Sequence, residues 1–273
     1  MKWIKKNFST MILLCVFFLG ICLLLYPTVS DCWNSFHQSR AIATYVEAVE
    51  AIEPEEYEKM IVCAEEYNET LVENPGRWIL TEEQQEIYQN LLNATGTGMI
   101  GYLEIPKLNI SLPVYHGTSE AVLQVAVGHI AGSSLPTGEE GTHCVLSGHR
   151  GVPSAKLFTN LDEMKEGDVF VVHVLNQTLT YEVGQIRVVE PEDLSALEIE
   201  EGKNLCTLVT CTPYGVNTHR LLVRGERIEA MASESEPIKA ETVWMKPEMV
   251  VSVGAVLILL LLLIILLVKY RKK

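Results

Sequence analysis

The chain has 273 residues and a formal net charge of −14, from 35 acidic residues against 21 basic ones. All 35 acidic residues lie between Asp31 and Glu248, with only 14 of the basic ones, so that stretch carries −21. So acidic a stretch has no footprint for nucleic acid, whose binders present basic patches, and is repelled by anionic lipid headgroups.

Residues 1–10 are a basic start with Lys2, Lys5 and Lys6, and residues 11–26, MILLCVFFLGICLLLY, are apolar. This segment reads as a transmembrane helix or as a signal peptide, with Thr28 and Ser30 resembling the small residues before a cleavage site. Near the other end, residues 249–268 carry no charge and are followed by a basic tail, 269–273. About 20 apolar residues span a bilayer as a helix, so this second segment is expected to cross one. Basic clusters flank the outer end of both segments. By the positive-inside rule both termini are cytoplasmic and the acidic region stands on the extracellular face of the cell membrane. Cleavage after Ser30 leaves the same outward-facing domain on its C-terminal anchor.

Residues 27–98 read as a helical region. HQSRAIATYVEAVEAI has helical spacing, and Glu53-Pro54-Glu55-Glu56 suits a helix start, with Pro near the first position and acids at the positive end of the dipole. The breaker-rich ENPGRW, Glu73 to Trp78, then precedes a short helical stretch, TEEQQEIYQNLLN. From Met99 the pattern changes to β. MIGYLEI, ISLPVY, HCVLS, DVFVVHV, LTYEVGQIRVV, NLCTLVT and RLLVRGERI are short strand-like runs separated by Gly, Pro, Asn and Asp. They predict a mainly β barrel or sandwich over 99–229, followed by a polar linker, 230–248.

The cysteines number seven. Cys15 and Cys22 fall in the first apolar segment. Cys32, Cys63, Cys144 and Cys206 could form two disulfides, although Cys144 and Cys206 suit buried free thiols in strands equally well. No CxxC pair occurs, and His143 with His149 is at most a weak metal pair, so neither metal nor cofactor is expected. Cys211 stands apart. Strand-forming residues of TLVTC lead straight into it, and a turn-rich loop then returns to Arg220 at the start of another strand. A cysteine at a strand end beside a polar loop can present a thiolate to a substrate. His149, between two glycines in LSGHRG, is its candidate proton partner, and the planar guanidinium of Arg220 suits a developing oxyanion. The plain alternatives are a small buried thiol, a loop histidine held by backbone, and a surface ion-pair arginine.

HIAGSSLPTGEEGTHCVLSGHRGVPSAKLFTNLDEMKEGD and TLVTCTPYGVNTHRLLVRG resemble a sortase, specifically the class C, pilus-assembling type, over most of residues 30–228. The resemblance implies an eight-stranded closed β-barrel with N-terminal helices, flanked here by two transmembrane helices, in a Gram-positive cell wall setting. It implies catalytic residues at Cys211, His149 and Arg220 and a substrate groove lined by Thr210, with Ser147 a further candidate beside it. The reaction it implies is transpeptidation: an LPXTG-like sorting signal is cut between Thr and Gly, and the acyl group passes to a lysine amine of the next pilin. Its partners are pilins or other surface proteins with C-terminal sorting signals. His129, His143 and His219 are expected to pack or to brace loops, since neighbours in a strand such as His219 and Arg220 face opposite ways. Class C enzymes often carry an Asp-Pro-aromatic lid before the barrel. Here the corresponding place has Pro75 without a preceding Asp, leaving Glu73 and Trp78 as stand-ins or the segment as a linker. A hydrolytic cysteine peptidase on the same barrel and a tethered non-enzymatic scaffold remain as alternatives.

Overall fold

In the computed structural model, which describes residues 8–72 and 74–229, an N-terminal helical arm leads into a closed barrel. Helix α1, Phe8–Glu50, runs without a break through Pro27. The sequence pattern separates an apolar segment ending at residue 26 from the helical HQSRAIATYVEAVEAI, whereas here they are one helix. Proline removes one internal hydrogen bond, and the helix continues through it from the good helix formers Leu23, Leu24 and Leu25 on its N-terminal side. α1 holds the one helix among the described residues long and apolar enough to cross a membrane, Val16–Glu50. The second apolar segment, 249–268, the linker and both basic tails (but for residues 8–10) lie outside the described residues. Of the expected pair of transmembrane helices, the described residues contain one candidate.

α2, Pro54–Leu71, starts with Pro54 and has Glu55 and Glu56 in its first turn. It buries Ile61, Ala64, Tyr67, Asn68 and Leu71, a stripe at helical spacing that faces the barrel. α3, Glu82–Asn90, is fixed by a capping box in which Thr81 and Gln84 satisfy each other's backbone. The short α4 spans Glu120–Leu123.

The barrel strands are β1 Met99–Ile105, β2 Ile110–His116, β3 Val127–His129, β4 Thr142–Ser147, β5 Val169–Val174, β6 Gln177–Val189, β7 Asn204–Thr212 and β8 His219–Ile228. Their order around the barrel is β1-β2-β3-β4-β7-β8-β6-β5. Seven coincide with the strand-like runs. β3 has only three residues, too few to show an alternating pattern, and it is the strand no run announced. β4 and β7 lie parallel, and β7 and β8 antiparallel, so these three form one continuous wall. Inside the barrel Leu146, Phe158, Phe170, Tyr181, Leu208 and Val223 are almost fully buried. Each such side chain contributes about 1.5–3 kcal/mol relative to exposure. Outside the wall a smaller apolar cluster joins Val145, Val209 and Leu222 to Ala196 and Leu197, with Trp78, Ile130 and Val189 packed on it. β4 and β7 are thus covered on both faces, which is why they read as continuous apolar runs.

Candidate active site

Side chains alternate across a strand, and in β7 that alternation separates two environments. Cys206, Leu208 and Thr210 turn to the interior, while Val209 and Cys211 turn outward. Cys211 stands directly opposite Arg220 on β8. Directly opposed residues share a face with Cβ atoms roughly 4.5–5.5 Å apart, so the thiol and the guanidinium stem are neighbours by construction. Arg220 Nη1 donates to the carbonyls of Asn217, 3.3 Å, and His219, 3.1 Å, which ties the guanidinium to the loop between β7 and β8. Cys211 is half-buried, exposed enough to meet a substrate.

His149 follows β4 by two residues, and β7 controls where it sits. The Gly148 amide donates to the Val209 carbonyl, 3.0 Å, and the Gly148 carbonyl accepts from Thr210 Oγ1, 2.8 Å. Gly148 must be glycine here, because a Cβ would come within 2.7 Å of the Phe158 ring. The two loops also touch. Tyr214, from the β7–β8 loop, lies against Gly151, and the Arg150 guanidinium sits 5.8 Å from the centre of the Tyr214 ring. His149 is partly exposed and its Nε2 is 3.7 Å from Glu120 Oε2 at the start of α4. Cys211, Arg220 and His149 therefore converge at one end of the β4–β7–β8 wall. Ser147, paired with Val209 and half-buried, lies on the outward face beside them. Thr210 does not line that face. It is 2% exposed and points inward, so its hydroxyl braces the His149 loop from behind.

His129, His143 and His219, expected to pack or brace, sit in packing or surface contacts. His129 is fully buried between the Tyr88 hydroxyl at 2.8 Å and the Ser134 carbonyl at 2.9 Å. His143 has both ring nitrogens engaged, with the Glu198 carbonyl and with Thr207 Oγ1, and burial lowers its pKa to about 4. His219 pairs with Glu190 at the surface. Cys32, Cys63, Cys144 and Cys206 are free thiols. Cys144 and Cys206 face each other across β4 and β7 inside the barrel, where burial pushes the Cys206 thiol well up.

Of the segment before the barrel, Glu73 lies outside the described residues, and Pro75 is exposed. Trp78 packs on the outer cluster with Val209, on the face that carries Cys211 two residues later. The anchor of this segment is a residue the sequence reading passed over. Arg77 is almost wholly buried, donates through Nη2 to the Leu197 carbonyl and to Glu198 Oε2, both at 3.1 Å, and stacks on Trp78. Burial draws its pKa down, and Glu198 opposes that shift. Gly132 admits the backbone of Arg77 so closely that a Cβ would meet its carbonyl oxygen at 2.1 Å. A lone arginine in a Gly/Pro-rich turn carries no sequence signal for burial, because its partners arrive from residues some 120 positions away.

The barrel matches known proteins in both sequence and shape. The sortase domain model matches residues 103–228. Sortase C1 of Streptococcus agalactiae is 52% identical and superposes with a TM-score of 0.68, covering 70% of this chain and 99% of the other. This chain belongs to the sortase family. Sortase C of Streptococcus pneumoniae, solved for catalysis and pilin substrate specificity, is 41% identical with a TM-score of 0.62, over 70% of this chain and 97% of the other. A Clostridium perfringens sortase C solved with the C-terminal cell wall sorting motif is 41% identical with a TM-score of 0.59, over 70% and 99%. Against curated sortases from Bacillus subtilis, Staphylococcus aureus and Streptococcus agalactiae the match spans 63%, 57% and 52% of their lengths. This sortase thus carries the barrel of its relatives, with class C enzymes as its neighbours in shape.

Proposed function

We propose that this sortase is a membrane-held cysteine transpeptidase that joins pilins or other surface proteins outside the cell. The observation that carries the reading is the direct cross-strand pairing of Cys211 with Arg220 beside the loop of His149. The Cys211 thiolate attacks the carbonyl carbon of the threonine in an LPXTG-like sorting signal and forms a C–S bond. Arg220 donates to the developing oxyanion, a contact typically worth about 2.7–4 kcal/mol. The C–N bond to glycine breaks, and His149 gives its proton to the leaving amine. A lysine amine of the next subunit then attacks the thioester carbon, loses a proton to His149, and displaces the thiolate. Ser147 lines the groove for the signal. The partners follow from those of the class C neighbours, and the apolar part of α1 supports a bilayer anchor.

Residues 73–78 act as a lid in this reading. Trp78 covers the outer cluster next to Cys211, and the Arg77–Glu198 contact holds it there. Excluding water from the thioester favours the amine over hydrolysis. Trp78→Ala should raise both thiol labelling of Cys211 and slow peptide hydrolysis, and labelling at the parent rate would make the segment a linker.

The function is tested by incubating the detergent-solubilised chain with sorting-signal peptides and a lysine-like amine under mass spectrometry. The expected products are an acyl-enzyme at Cys211 and an amide with the amine. Release of free acid alone would make the protein a peptidase, and no adduct with any such peptide would remove the enzyme reading.

A further inference from the structure

The loop that carries His149 is held from two sides, and one of them is α1. Within the loop, Ala155, Leu157 and Phe158 are buried in the barrel core, and Leu157 adopts a positive φ of 37°, a conformation that packing must enforce. The Phe158 amide donates to the His149 carbonyl at 3.1 Å, so this buried anchor connects directly to the histidine. On the other side, α1 presents Asp31, Asn34 and Gln38, spaced to share one helix face. Asn34 Nδ2 donates to the Ser154 carbonyl at 2.8 Å, and Asp31 Oδ1 accepts from the Lys156 amide at 3.0 Å. Gln38 Nε2 adds a bond to the Val125 carbonyl, just after α4, whose Glu120 faces His149. The opposite face of the same turns bears Val29, Trp33 and Phe36, all exposed, which continue the apolar segment outward.

We infer that Asp31 and Asn34 are positioning residues for His149, so that the helix bearing the apolar segment sets where the imidazole stands relative to Cys211. Both side chains bind backbone atoms of residues 154 and 156 and therefore fix the path of the loop. Proton transfer demands hydrogen-bond geometry at the reacting atoms, and a shift of about 1 Å can cost as much as a hundredfold in rate. The inference rests on the transpeptidase reading for its rates, but the placement of His149 can be observed without turnover.

The test uses the full chain in detergent with Asp31→Ala and Asn34→Ala combined. The expected result is a fall of roughly 5- to 50-fold in kcat for acyl-enzyme formation with the peptide KM changed by less than about twofold. The imidazole NMR resonances of His149 should move while those of the buried His129 stay. A double variant with parent kcat and unmoved His149 signals overturns the inference. If the double variant does not fold, Asn34→Ala alone carries the same two readouts. If the parent chain processes no peptide, the transpeptidase reading fails, and the His149 resonances still decide the positioning role.

Discussion

The inner and outer faces of the β4–β7–β8 wall use the same residue types for opposite ends. Inside stand Cys144 and Cys206, opposed to each other and sealed from water, with Thr210 turned the same way. Outside, five residues beyond Cys206 on the same strand, Cys211 stands opposite a guanidinium and beside a partly exposed histidine. Burial pushes the Cys206 thiol well up, because a thiolate there loses its solvation, whereas Cys211 is exposed enough to meet a substrate. The two cysteines of β7 thus differ in strand parity and neighbours. Histidines divide the same way: His143 is covered and bonded through both ring nitrogens, while His149 is partly exposed beside Glu120.

The sharpest way to break this comparison is to exchange the two cysteines of β7. Cys211→Ala should abolish the acyl-enzyme adduct while the domain stays folded. Cys206→Ala should keep the adduct and lose stability on the order of 1 kcal/mol, for one small buried group removed. An adduct that survives the first change, or vanishes in a folded form of the second, would reverse the assignment of the two faces.

Next in size is Arg220→Lys, which keeps the charge and loses the planar fork of donors. Turnover should fall at least tenfold, toward the 10²–10³ typical of a lost oxyanion donor. Steady-state kinetics with near-parent kcat would leave Arg220 only a general electrostatic part.

The covered histidine gives a pH signature. Its folded pKa is about 4 against an ordinary 6.5, so the unfolded chain binds a proton first as pH falls. The contribution is complete above pH 6.5 and is lost between 6.5 and 4, to a total on the order of 3 kcal/mol. His143→Gln should flatten that part of the stability curve, measured by denaturant midpoints at several pH values. His116, lowered to about 4 by burial as well, keeps some acid sensitivity in the variant. An unchanged slope would mean that His143 titrates normally.

The smallest effect concerns the inward residue closest to the site. Thr210→Val removes the bond to the Gly148 carbonyl and leaves that oxygen unsatisfied, at a cost of about 1–3 kcal/mol. Unfolding should show that loss, with a severalfold fall in turnover and little change in peptide KM. A large rise in KM instead would put Thr210 at the groove after all.

Much of this was legible in the order of residues. Seven strands, the starts of α2 and α3, and Cys211, His149 and Arg220 as strand-end residues follow from local rules: alternation, turn formers and helix caps. Strand parity was available too, but it places Thr210 correctly only once the face of Cys211 is known. The closed strand order, the pairing of Cys211 with Arg220, the burial of Arg77 by Leu197 and Glu198, and the grip of α1 on the His149 loop were not legible. Each joins residues distant in sequence through register or a backbone contact, and no local periodicity records which carbonyl a buried donor will meet. The sequence by itself determined the chemistry on offer, down to Cys211 and His149, and tertiary structure decided which polar groups are covered and which stay open, because burial and hydrogen bonding, not residue type, set the fate of a polar group.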